Sequence, residues 1–315
     1  MAEELPRAVR AAWERARLAC ETWTRSGESE LCIERALDGG HSNTVWRIAG
    51  TGESWVLRVP DADPPRGVNR AREVALHALA GAQHLAPALH YSEVATGVLL
   101  MADLSNARRN TQAAAPSVSE LAALFRAIHR LEWRSAVRTP GLRSGEESEE
   151  GDGETGLWRP LNSATRLEEW RWALLDANPL SDLDKSVQQA LAASASRVAS
   201  TVVTPRVCHN DLLRANRLRD QRGRLVAIDW EYACLGDPYF DLAVAATELS
   251  PAASENLLRS YLGREATTAE RLHLRDQQGL YLAIAVCWYT ARRSAPAMVS
   301  VAVDALIKHY GGLEA

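Results

Sequence analysis

The chain of 315 residues predicts an α+β fold of two unequal lobes, a small N-terminal antiparallel sheet with a helix and a larger, mainly helical C-terminal part. Three observations carry this. Near the start, the short β-rich runs TVWRI and SWVLRVP flank the turn-rich AGTGE. From Ser117 helical spacing takes over: S-V-S-E fits a capping box, and Leu121, Leu124, Ile128 and Leu131 recur on one face. The closing segments, around residues 254–262, 270–292 and 298–310, have the pattern of helices covering a core.

Taken in order, the first thirty residues carry helix-forming Ala, Arg and Glu, then strand-like LCIERAL and a turn at Gly39-Gly40. TVWRI and SWVLRVP complete three antiparallel strands. NRAREVALHALA predicts a helix, and VLLMADL a buried strand ending at Asp103, which closes a small first lobe at 1–103, expected to bind the nucleotide, and leaves 104–315 as the catalytic and substrate lobe. Within the second, GLRSGEESEEGDGETG has almost no apolar residues, so burial cannot offset its ordering entropy and 141–156 is expected to be a mobile acidic loop.

Composition narrows the function. With 46% hydrophobic and 24% charged residues and a net charge of −4, the chain has no basic field to attract nucleic acid or anionic lipid, which favours small-molecule partners. MAEELPRAVR has acid where a secretory signal needs base, and the apolar run LYLAIAVCW is too short to span a bilayer, so a cytoplasmic location is expected. Five cysteines, none in a C-x-x-C pair, argue against a disulfide framework or a zinc site; Cys208, beside the motif below, is a packing residue or a reactive thiol. The oligomeric state is not legible.

The chemistry concentrates in VCHNDLLRANRLRDQRGRLVAIDWEYACLGDPYFDLA. His209-x-Asp211 is followed by Asn216, and thirteen residues later the apolar run LVAI delivers Asp229. The intervening NRLRDQRGRLVAI predicts a hairpin turning at Gly223, which brings Asn216 and Asp229 to face one point. Phosphoryl transfer needs this combination, because the protein contributes positioning and charge neutralisation around the moving phosphate. Asp211 is the candidate to orient a hydroxyl nucleophile and accept its proton; Asn216 and Asp229 supply the hard oxygen ligands that Mg²⁺ prefers beside the phosphates of ATP. The spacing H-x-D-x-x-x-x-N is also that of the kinase catalytic loop. Asp residues also cap helices and close turns, but here the strand, the hairpin and the GDPYFD continuation occur together in the order the chemistry needs.

With IDWEYA and GDPYFDLA in place, the segment resembles the aminoglycoside phosphotransferase and choline kinase superfamily, especially its choline, ethanolamine and thiamine kinase branches. The resemblance implies a two-lobed protein-kinase-like fold. It also implies that Asp241 is a buried brace on the catalytic-loop backbone, that Asp237 caps the following helix, and that His209 is structural rather than a base.

In the small lobe, GGHSNTVWRI can present backbone N–H groups of Gly40, Ser42 and Asn43 to phosphate oxygens, like the nucleotide loop of choline and thiamine kinases. Arg58 in WVLRVP stands where most kinases place a strand lysine, with Glu73 as ion-pair partner. A guanidinium is not interchangeable with an ammonium, and the choline and thiamine kinase branches resemble this chain in using Arg there. VLLMADL would meet adenine near Met101 and Asp103.

Ten tryptophans against two phenylalanines suit a cationic acceptor, since aromatic faces beside acidic groups attract cations. By the same resemblance, Glu231, Tyr232 and Trp288 line the acceptor pocket. The expected reaction is ATP- and Mg²⁺-dependent phosphorylation of a small-molecule alcohol of thiamine, choline or ethanolamine type. An aminoglycoside or amino-sugar acceptor is the rival within this chemistry, and a nucleotide-binding pseudokinase the rival outside it. The pseudokinase reading is disfavoured by the presence of all three of Asp211, Asn216 and Asp229.

Overall fold

The computed structural model describes residues 6–20, 32–37, 43–50, 53–60, 66–104, 115–136, 158–174, 178–292 and 296–311. The expected acidic loop at 141–156 lies outside them. The chain divides into two compact units, the first formed by 1–115, 131–157 and 215–233, the second by 116–130, 158–214 and 234–315.

The first unit is a five-stranded sheet with a helix on each face. Its strands are β1 (Cys32–Leu37), β2 (Asn43–Ala49), β3 (Ser54–Pro60), β4 (Leu89–Glu93) and β5 (Val98–Ala102), in the spatial order β1-β2-β3-β5-β4 with every neighbour antiparallel. The period of two in the sequence makes the faces. Trp55, Leu57 and Val59 of β3 and Val98 and Leu100 of β5 pack with Trp46 and Ile48 against α1 (Arg7–Ala19), whose Val9, Ala12, Trp13 and Ala16 recur at helical spacing. On the opposite face Leu99 and Met101 meet Val74 of α2 (Arg70–Ala82), which starts at Asn69, where the side chain accepts from the Arg72 N–H. The fold thus agrees with the expected small antiparallel lobe, with one addition: β4 was not anticipated, because LHYSE is an edge strand with no buried position to mark it.

One further piece of this unit matters for chemistry. The hairpin β7 (Arg217–Arg219) and β8 (Leu225–Ala227) turns through Asp220–Gly223, with Gly223 at φ 81°. Its open end is tied by a bond from the Ile228 N–H to the Asn216 carbonyl at 3.0 Å.

The second unit is mostly helical: α3 (Val118–Ile128), α5 (Ser163–Leu174), α6 (Lys185–Ser200), α7 (Pro238–Ala246), α8 (Pro251–Leu262), α9 (Thr268–Arg292) and α10 (Pro296–Gly311), the short α4 (Trp133–Ala136) belonging to the first. The capping box expected at Ser117 is present, with Ser117 and Glu120 satisfying each other's backbone N–H groups. The core gathers Leu167, Trp170, Leu191, Phe240, Leu280 and Leu306 around the long α9. Gly279 is needed there, since a Cβ would sit 2.0 Å from the Tyr310 hydroxyl of α10. The two-stranded pair β6 (Arg206–Cys208) and β9 (Cys234–Gly236) sets Cys208 opposite Cys234. No helix among the described residues is long and apolar enough to cross a membrane.

Candidate active site

In the first unit, side chains from four separate segments converge. Arg58 on β3 is 5% exposed; its Nη2 pairs with Glu73 Oε1 on α2, and its Nη1 lies 3.0 Å from Asp229 Oδ1, just past β8. Burial alone would lower the Arg58 pKa, but Glu73, Asp229 and Glu231 together hold it above its ordinary value, so the guanidinium stays charged. Asp229 adopts φ 62°, a left-handed conformation that aspartate tolerates better than most residues and that re-aims its carboxylate after the strand. Although 25% of its side chain meets solvent, desolvation pushes its pKa up to about 7, helped by the charge of Glu231 and opposed by Arg58.

Glu231 is 3% exposed and accepts from Asn43 Nδ2 at 3.3 Å. Arg70 completes the group: its Nη1 lies 2.8 Å from Glu73 Oε2 and 3.4 Å from Glu231 Oε2. Sequence reasoning passed over Arg70, whose place three residues before Glu73 on a helix was the available signal. The cluster therefore sets the carboxylates of Glu73, Asp229 and Glu231 against the guanidinium groups of Arg58 and Arg70. That surplus of negative charge, with Asp229 as its partly exposed member and the Asn216 backbone bonded next door, fits a divalent cation held by hard oxygen donors.

Of the other expected nucleotide residues, Gly40 and Ser42 lie outside the described residues. Met101 is buried on the α2 face of β5. The Asp103 carboxylate receives Arg47 Nε at 2.7 Å and the Ser54 hydroxyl at 2.8 Å, so it braces β2 and β3. Tyr232 is half-buried.

In the second unit, Asp241 is wholly buried and accepts the backbone N–H groups of His209 at 2.8 Å and Asn210 at 2.6 Å. His129 Nε2 lies 3.0 Å from the same carboxylate, with its Nδ1 2.9 Å from the Tyr261 hydroxyl. This pins the backbone immediately before Asp211, where Asn210 takes φ 63°. Nothing in the pattern around His129 marked it for this contact. Asp237 caps α7 through the Tyr239 N–H at 2.9 Å, and its other oxygen meets His273 Nε2 and Gln277 Nε2, both at 2.6 Å.

Asp211 is half-buried, and its charge reaches α9: the phenols of Tyr281 and Tyr289 are raised chiefly by burial and further by Asp211. Trp288, between them in sequence, stands edge-on to Tyr289 at 5.0 Å, and the Arg292 guanidinium lies 4.5 Å from its ring centre. Burial pushes the Cys208 thiol well above its ordinary pKa, which makes it a packing group rather than a reactive thiolate.

Asp211 thus follows a pinned backbone in the second unit, and Asp229 stands beside a buried, charged arginine in the first. Residues 34–274 match the phosphotransferase enzyme family, APH, and the chain belongs to that family. Over 58 residues, 18% of this chain, it is 50% identical to protein LicA of Haemophilus influenzae, a match spanning about a fifth (21%) of that relative's length. The crystal structure of a choline/ethanolamine kinase family protein from Mesorhizobium loti is similar over 96% of this chain and 95% of its own, with a TM-score of 0.68 at 20% identity. The GDP complex of aminoglycoside 2'-phosphotransferase-IIIa is similar over 96% and 99%, with a TM-score of 0.63 at 14% identity. The fold is therefore of the kinase-like kind these structures share.

Proposed function

We propose that the chain transfers the γ-phosphate of ATP to a hydroxyl of a small cationic molecule of thiamine, choline or ethanolamine type. The observation that carries the reading is the meeting of Arg58 and Asp229 within a cluster whose carboxylates outnumber its guanidinium groups. Arg58 exchanges its carboxylate partners for phosphate oxygens, and Asn216 and Asp229 hold Mg²⁺. Bound Mg²⁺ neutralises charge on the phosphates. The backbone around Gly40, Ser42 and Asn43 covers the phosphates, and the strand end at Met101 and Asp103 meets adenine. Asp211, on the loop that Asp241 pins, orients the acceptor hydroxyl and takes its proton as the new O–P bond forms and ADP leaves.

For the acceptor, Trp288 supports a cation: its ring face already carries a guanidinium in this chain. Tyr232 and Glu231 offer a further aromatic face and a carboxylate of the kind that such a cation prefers. The nucleotide in the aminoglycoside phosphotransferase complex is GDP, so guanine nucleotides and aminoglycosides belong in the test.

That test is coupled-assay turnover of ATP and GTP with Mg²⁺ against thiamine, choline, ethanolamine, aminoglycosides and amino sugars. Turnover with a small quaternary or aromatic cation is the expected result. Turnover confined to aminoglycosides or amino sugars would overturn the acceptor assignment, and nucleotide binding without turnover on any acceptor would favour a regulatory pseudokinase.

A further inference from the structure

We infer that Arg70 is a positioning residue of the nucleotide and metal site, holding the loop Asp229–Glu231 in the shape that receives Mg·ATP; this rests on the reading of Asp229 as a metal ligand.

The ion pairs of the first unit form a path that leaves this loop and returns to it. It runs from Asp229 to Arg58, from Arg58 to Glu73, from Glu73 to Arg70, and from Arg70 back to Glu231, two residues from its start. Both ends of the loop are thereby fixed to one carboxylate on α2. Arg58 secures only the first end. At the second, Glu231 has Arg70 and the Asn43 amide. Replacing Arg70 with an apolar side chain leaves three buried or half-buried carboxylates facing one guanidinium. Glu231 then lacks its cation, and the repulsion falls on the adjacent Asp229.

Packing around Arg70 shows that the guanidinium is held in place rather than floating. Its side chain is 10% exposed, and its Nη2 is buried with no hydrogen-bond partner among the described residues, a cost accepted while Nη1 bridges two carboxylates. The β4–β5 turn makes room for it: Gly97 has φ 73°, and a Cβ there would stand 2.5 Å from Arg70 Nε and 2.8 Å from its Cδ. The carbonyl of the same glycine accepts from Arg58 Nη2 at 3.4 Å, so one turn seats both arginines.

Calorimetric titration of Mg·ATP into the full chain tests this, comparing wild type with Arg70→Met, Arg70→Lys and the double variant Arg70→Met/Glu231→Gln. Arg70→Met is expected to weaken Mg·ATP binding about tenfold or more. In steady-state kinetics KM for ATP rises more than kcat falls. The double variant recovers most of the affinity, because the unpaired carboxylate is gone, a rescue that lost packing alone would not give. Should Arg70→Met not fold, Arg70→Lys carries the test: the charge survives, but a lysine side chain ends one bond short of where Nη1 meets both carboxylates, so several-fold weakening is expected. If wild type binds Mg·ATP and Arg70→Met or Arg70→Lys binds it within twofold, or Glu231→Gln gives no rescue, the inference is wrong while the proposed function stands. A wild-type chain with no Mg·ATP affinity would overturn both.

Discussion

Arg58 Nη1 lies 3.0 Å from Asp229 Oδ1, joining residues 171 positions apart in sequence. Above about pH 7, where Asp229 is ionised, the two are counter-charges. Under the proposed function both exchange partners when Mg·ATP arrives, Arg58 for phosphate and Asp229 for the metal. The groups are therefore aimed before the ligand comes, and little reorganisation is left for the binding step.

Arg58→Lys tests the phosphate half of that exchange. The charge survives, but the planar fork that reaches Glu73 and Asp229 together is lost. ATP affinity is expected to fall by about tenfold, roughly 1.4 kcal/mol, with the thermal midpoint little changed. Unaltered ATP affinity would remove Arg58 from the phosphate site.

Asp211→Asn tests the acceptor half. It preserves shape and removes a proton acceptor, so kcat should fall by on the order of 10² to 10⁴ while Mg·ATP affinity holds. Unchanged turnover would contradict the base assignment.

Asp241→Ala should act through stability and catalysis together. Two buried N–H groups, those of His209 and Asn210, lose their acceptor, at roughly 1–3 kcal/mol each. The denaturant midpoint is expected to drop at constant m-value, and the loop carrying Asp211 to lose its fixed geometry. A variant as stable as wild type would mean that water replaces the carboxylate without cost.

Asp229 gives a pH signature. Its pKa stands at about 7 in the folded chain against an ordinary 3.8, so between those values the folded state holds a proton that the unfolded state has released. Stability of the metal-free protein attributable to this group is thus greatest below about pH 4 and falls as pH rises through about 7. The difference in unfolding free energy between wild type and Asp229→Asn, followed over that range, should show this decline, and a flat difference would contradict it.

The sequence made some of this legible because the information is local. The capping box at Ser117, the turn at Gly223 and the β-rich run SWVLRVP each act within a few residues, and each is present in the fold. The strand Leu89–Glu93 was not legible, since an edge strand carries no buried alternation, and the helix Ser163–Leu174 exposes Trp172 amid charged neighbours, which blurs its period. The site divides the same way. Asp211 and Asn216 are marked by the H-x-D-x-x-x-x-N spacing, and Asp229, thirteen residues beyond Asn216, by the apolar run LVAI before it. Arg70 meets Glu231 across 161 positions and His129 meets Asp241 across 112, contacts made by packing that no local spacing encodes.

The central claim is that Asp229 holds the metal that brings ATP to this chain. Titrating ATP into wild type and Asp229→Ala, each with Mg²⁺ and then with EDTA, tests it most directly. The expected result is Mg²⁺-dependent binding in wild type that disappears in Asp229→Ala while the circular dichroism spectrum is unchanged. Mg·ATP affinity retained by a folded Asp229→Ala would contradict the claim and move the metal site elsewhere.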